Sequence, residues 1–180
     1  MNRSATDTDT VDTTEPEIGP PDGGYISIPT SWSLDLGAGN GFIFNGSLES
    51  AYDLVYYERW YLNPSTSTAE TQLDCIEIEV SSDAVTWYSV LYWCDGIPDT
   101  NTNIDINVIG GAETDNRAFP PPPLYANPLR PDLPTGVTID VDAPLVTLGA
   151  PNGVYRYLRF SQVPEGGADG PQIDAIEILP

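Results

Sequence analysis

Histidine and lysine are both missing from this 180-residue chain. Without histidine the usual general base and the commonest nitrogen ligand are gone. A Ser-His-Asp triad, a Cys-His pair or a histidine-built zinc-water centre cannot form. Without lysine there is no Schiff base, no phosphate-loop lysine and no lysine-derived isopeptide cross-link. The only basic side chains are six arginines, set against 27 acidic residues for a net charge of −21. Charge of that sign repels phosphate backbones and anionic bilayers, which excludes nucleic acid as a partner, and it attracts cations, calcium above all. No apolar run approaches the roughly 20 residues of a membrane span, so no membrane insertion is expected. The opening MNRSATDTDT lacks the apolar core of a secretory signal, and the expectation is a mature or excised segment. Two carboxylates remain chemically open for glycoside cleavage. So many acids bring some pairs together by chance, however, so no catalytic residue is assigned and the chain reads as a non-enzyme.

What is present is a period of two. Residues 1–23 are Thr, Asp, Glu and Pro with little apolar content, an acidic tail or linker that cannot repay its own ordering entropy. From residue 24 to 180, alternating segments are separated by Gly, Pro, Asn and Asp. Strands are expected in GYISIP, SWSLDL, GFIFN, DLVYYERWY, DCIEIEV, TWYSVLYW, IDINVI, GVTIDVD, VYRYLRFS and IDAIEIL. No window carries a helical stripe. The fold class expected is all-β: an antiparallel β-sandwich of jelly-roll type with about 8–10 strands. The proline-rich stretch over 119–134 reads as a stiff polyproline crossover loop within that domain.

Two cysteines occur, Cys75 and Cys94. If Asp83 and Ala84 form the tip of the hairpin between them, Cys75 falls opposite Tyr92 and Cys94 one diagonal step beyond. That is the edge of disulfide geometry unless a small bulge intervenes. A bridge and a pair of buried free thiols both stay open.

Acidic residues recur in line with core residues. Asp174 shares a strand face with Ile176 and Ile178, Asp74 with Ile76, Ile78 and Val80, and Asp53 with Val55 and Tyr57. A buried carboxylate requires a partner, and backbone amides, an arginine such as Arg156 or Arg159, or a divalent cation would each serve. A second candidate is DGIPDTNTNID, where Asp99, Asn101, Asn103 and Asp105 alternate with Asp95 just upstream. Alternating oxygen side chains converge on one side, as a hard cation needs. The helix-loop-helix calcium loop is not matched, because Ile104 stands where it requires glycine. The plain alternative is a solvated Asx-turn loop. The metal set expected is Asp95, Asp99, Asn101, Asn103, Asp105 and Asp174, with calcium as the ion. For ligand binding, Trp60, Tyr61 and Trp93 are candidates to stack on a glycan from a sheet end or rim. Cross-strand aromatic packing is the alternative.

The pieces IGPPDGGYISIP, YDLVYYER, IEVSSDAVTWYSVLYW, DGIPDTNTNID and YRYLRFSQVPEGGADGPQIDAIEILP resemble an uncharacterised jelly-roll domain of bacterial secreted and surface proteins. The last piece is also similar to the closing strand of discoidin-like and carbohydrate-binding-module jelly rolls. In several of those, an Asp at the position of Asp174 helps hold a structural calcium. The resemblance implies an extracellular or cell-surface, non-catalytic accessory or adhesive module, and supplies no activity. Ala84 departs from the turn glycine expected there, and the 119–134 insertion departs as well. The expected function is a calcium-stabilised binding or adhesion module taking a glycan or surface ligand. The alternative is a structural subunit of an extracellular filament, surface layer or capsid. In that case the N-terminal arm pairs with a neighbour, giving a homo-oligomer or filament.

Overall fold

The computed structural model describes residues 17–18, 25–28, 31–36, 42–44, 52–63, 68–104, 112–115, 117–119, 136–142, 149–164 and 170–179. Every regular element among them is a strand. In chain order these are β1 (Glu17–Ile18), β2 (Ile26–Ser27), β3 (Ser31–Asp35), β4 (Phe42–Phe44), β5 (Leu54–Glu58), β6 (Trp60–Asn63) and β7 (Thr68–Leu73). They continue with β8 (Ile76–Ser81), β9 (Tyr88–Tyr92), β10 (Arg117–Phe119), β11 (Val137–Ile139), β12 (Gly153–Tyr155), β13 (Tyr157–Gln162) and β14 (Gln172–Ile178). The count exceeds the 8–10 expected because two expected strands break, at Arg59 and at Arg156, and because β1, β7 and β10 were not anticipated. IDINVI and most of the 119–134 loop lie outside the described residues.

Two sheets form the sandwich. One has the order β1-β14-β5-β11, with β2 also pairing β14; the other has the order β3-β13-β8-β9. Pairing is antiparallel except between β1 and β14. Smaller sheets, β10-β7-β6 and β12-β4, complete the described strands. The alternation seen in the sequence is what faces the sheets together. Leu54 and Tyr56 of β5, Ile139 of β11 and Ile176 of β14 pack into one cluster with Ile76, Ile78, Val80, Leu158 and Phe160 of the opposite sheet. The rings of Tyr56 and Phe160 stack across the interior with centroids 6.3 Å apart.

β5 is buried on both faces. Val55 and Tyr57 join Ala175 in a second cluster on the outer side of their sheet. The chain entering β11 presses on that side: a Cβ on Gly136 would lie 2.3 Å from Val55 Cγ1 and 2.7 Å from Tyr57 Cε1, so only glycine fits. The expectation that Asp53 lines up with core residues through Val55 and Tyr57 is corrected here. That face looks outward, and the main core takes Leu54 and Tyr56 instead.

The hairpin between β8 and β9 settles the cysteines. Its loop spans 82–87, longer than a two-residue tip, and Ala84 occupies the left-handed region at φ 60° that favours glycine. Val80 pairs Tyr88, then a register shift follows Ile78, so that Glu77 pairs Tyr92. Val90 and Leu91 both turn inward as a result. This bulge brings Cys75 opposite Cys94, and they form a disulfide with Cα atoms 5.3 Å apart. A bridge across this separation contributes about 3 kcal/mol in the chain-entropy picture. Melting with and without reductant should therefore differ by on the order of 6–12 °C for a chain this size. A Cys75→Ser/Cys94→Ser double variant should melt at the lower temperature in both conditions.

Candidate functional site

The acidic residues gather at strand ends, in three separate groups. The first lies where β5 begins and β11 ends, which the antiparallel pairing of Leu54 with Ile139 makes adjacent. Asp53 precedes β5, and Asp140 and Asp142 follow β11. Oxygens from the three carboxylates lie within 4.8 Å of one another, and all three residues are half-buried. Asp53 ties the corner together. Its amide donates to the Ile139 carbonyl at 2.9 Å, and its Oδ2 accepts from the Val141 amide at 2.8 Å. Burial pushes the Asp53 carboxyl up to about 6, against the Val141 hydrogen bond, with the negative Asp142 and Asp140 adding to the rise. Three acids that repel one another at a strand end, partly withdrawn from water, form an oxygen-rich corner suited to a hard divalent cation.

The alternating loop picked out from the sequence borders this corner and bonds to the strands beside it. Asn101 Nδ2 donates to the carbonyls of Val90 at 2.8 Å and Asp140 at 3.1 Å, while the Asp140 amide donates to the Asn101 carbonyl at 2.8 Å. Asn103 Nδ2 donates to the Gly136 carbonyl, and its Oδ1 accepts from the Thr138 amide. Together with the bridge between Thr102 and Ile139, these contacts close the free edge of β11. Asn101 and Asn103 reach the β11 side, whereas Asp99 turns to the Tyr92 amide. Asp105 lies outside the described residues.

The second group surrounds the disulfide. Asp99 Oδ2 accepts from the Tyr92 amide and Glu113 Oε2 accepts from the Cys94 amide, both at 3.2 Å. Asp95 is exposed and caps its own turn by accepting from the Ile97 amide. Burial, then the neighbouring Glu113, carries the Asp99 carboxyl up to about 7. Burial, then Asp95, carries Glu113 to about 7 as well.

The third group centres on Glu58, at the end of β5 remote from Asp53. Glu58 is 3% exposed and faces inward. It accepts from the Tyr56 hydroxyl at 2.9 Å, the Asp74 amide at 3.2 Å and the Gln172 amide at 2.6 Å. Burial, with Asp74 beside it, holds its carboxyl well above the usual range. Asp174 lies in the bulge between Ile173 and Ala175, where Ile173 pairs Glu58, and it is 2% exposed. Asp174 and Asp53 thus stand at opposite ends of the β5–β14 ladder. The metal set read from the sequence is therefore divided, and among the described residues the three carboxylates that converge are Asp53, for which a divalent cation was one expected partner, with Asp140 and Asp142, which were not singled out. A D-x-D directly after a strand, antiparallel to one that starts with Asp, is the signal that would have found them.

The aromatic candidates need one correction. Trp93 is 1% exposed, points into the core and donates from Nε1 to the Thr114 carbonyl, so it offers no ring to a ligand. The bulge in β9 turns it inward beside Leu91. The side chains of Trp60 and Tyr61 lie outside the described residues. Trp87, not singled out, lies on the outer face of the β3-β13-β8-β9 sheet. There Arg159 sits with its guanidinium carbon 4.3 Å from the Trp87 ring centroid, and Glu79 holds it through bonds of 2.5 and 2.6 Å. Ser33 pairs Arg159 on one side, and Tyr157 and Ser161 share its face.

The fold and the acidic corner define an all-β sandwich with a candidate cation site. No protein-family model, no curated protein and no solved structure matches the chain.

Proposed function

We propose that this chain is a non-catalytic extracellular or cell-surface binding module, stabilised by calcium at Asp53, Asp140 and Asp142, whose ligand is a glycan. The convergence of the three carboxylates within 4.8 Å carries the metal half of the reading. Calcium takes six to eight oxygens, and the three carboxylates supply at least three of them before water or carbonyls are added. The disulfide supports an oxidising compartment. For the glycan, support comes from the outer face of the β3-β13-β8-β9 sheet. Its hydroxyls, Arg159, Glu77 and Glu79 supply donors and acceptors side by side, and Trp87 adds a ring. Arg156 and Arg159 keep this face close to neutral on a chain of net charge −21, which suits an uncharged sugar better than a polyanion.

Thermal melting in calcium against chelator tests the metal. At a hundredfold excess over the dissociation constant the ion adds about 2.7 kcal/mol, on the order of 5–10 °C here. Asp142→Asn should abolish that increment, and an unchanged melting temperature in the parent protein removes calcium from the reading. A glycan array probed with the parent and with Trp87→Ala tests the ligand: binding that survives the substitution unaltered places the sugar elsewhere, and a blank array removes it.

A further inference from the structure

We propose that the edge of β14 held by β1 is a docking site for a second copy of this chain, which lends its own residues 17–18 in place of the resident β1. This inference does not rest on calcium or on a glycan. β14 is laddered to β5 on one side, interrupted by the bulge at Asp174. On its other side it is covered in two short pieces. β2 pairs antiparallel with Gln172 and Ile173, and β1 pairs parallel with Ala175 and Ile176. Among the described residues no strand pairs Glu177 or Ile178 on that side. Residues 17–18 of the arm expected to reach a neighbour thus lie, in this single chain, on the chain's own sheet.

Three features make that cover exchangeable. The β1 pairing is two residues long and parallel, the weaker ladder type, so releasing it costs little. Release leaves the backbone donors and acceptors of a central strand open, beside buried Ile176, and such an edge recruits another strand. The strand proved by the fold to fit this edge in register is residues 17–18, and every other copy carries the same segment; exchange of an identical element is the least demanding route to association. Opposing this, residues 1–23 carry six acidic residues against Arg3, so copies repel one another at low salt.

Sedimentation of the full chain over a range of concentrations, at low salt and at about 0.5 M sodium chloride where repulsion is screened, tests the proposal. Dimers or larger species should increase with concentration and with salt. Ile18→Pro removes the amide the ladder uses and should leave a monomer of nearly parental melting temperature. Should that variant fail to fold, a synthetic peptide of residues 11–23, added in excess to the parent protein, should dissociate the oligomer instead. A chain that stays monomeric at every concentration and salt overturns the proposal. So does an oligomer that survives both Ile18→Pro and the peptide, because its interface then lies elsewhere.

Discussion

In chelator, lowering the pH from 8 to 5 should make the protein more stable. Asp99 and Glu113 have folded values of about 7 and Asp53 about 6, all above the ordinary carboxyl range they regain on unfolding. Between that range and 7 the folded chain therefore holds protons that the unfolded chain has released, so stability falls as pH rises through the window. Above pH 7 the three groups are charged in both states and the full penalty applies. Below about 4 they are protonated in both states and contribute no further slope. For Asp99, carried from 3.8 to about 7, the penalty above pH 7 is on the order of 4 kcal/mol. Glu113 raises Asp99, so their contributions are not summed. The net charge of −21 acts in the same direction, since acidification relieves self-repulsion. Asp99→Asn isolates the effect. The amide oxygen can still accept from Tyr92, so the variant should exceed the parent by several kcal/mol at pH 8, with the gap narrowing through pH 5 to under about 1 kcal/mol near pH 4. Urea unfolding at four pH values reads both curves. A parent that loses stability on going from pH 8 to 5, or an Asn variant with the parent's slope, would refute the assignment. Calcium should flatten the high-pH limb, because an ion at Asp53 competes with the proton there.

The sandwich is legible in the sequence because strand periodicity is a local property, and nine of the ten expected strands lie among the elements. What escaped depends on register. The β8–β9 bulge inserts one residue at Val90, and nothing in TWYSVLYW announces it; yet it pairs the cysteines and turns Trp93 inward. β7, in STSTAETQL, alternates threonines without the apolar residues that mark a strand. The cation corner escaped for the same reason. Asp53 and Asp140 are far apart in sequence, and only the β5–β11 ladder makes them neighbours. Asp74 and Asp174 were legible as inward carboxylates, and both are buried. Glu58 was not, because the break at Arg59 is invisible within DLVYYERWY.

Glu58→Ala should cost about 3–5 kcal/mol, because it strips the acceptor from the Tyr56 hydroxyl and from two backbone amides in the interior, and each orphaned buried donor costs about 1–3 kcal/mol. Burial, with Asp74 beside it, holds the Glu58 carboxyl well above the ordinary range. Glu58→Gln is the milder change. The amide oxygen can take the Oε2 position and keep Tyr56 and Asp74 satisfied, while its NH2 meets the Gln172 amide donor head-on. The expected cost is about 1–2 kcal/mol, less than half that of alanine. Urea unfolding at pH 7 reads both variants: a glutamine variant less stable than the parent, with alanine less stable still, identifies Glu58 as the hydrogen-bond hub that joins β5, β14 and the turn before β8 at this end of the sandwich, and variants as stable as the parent refute it.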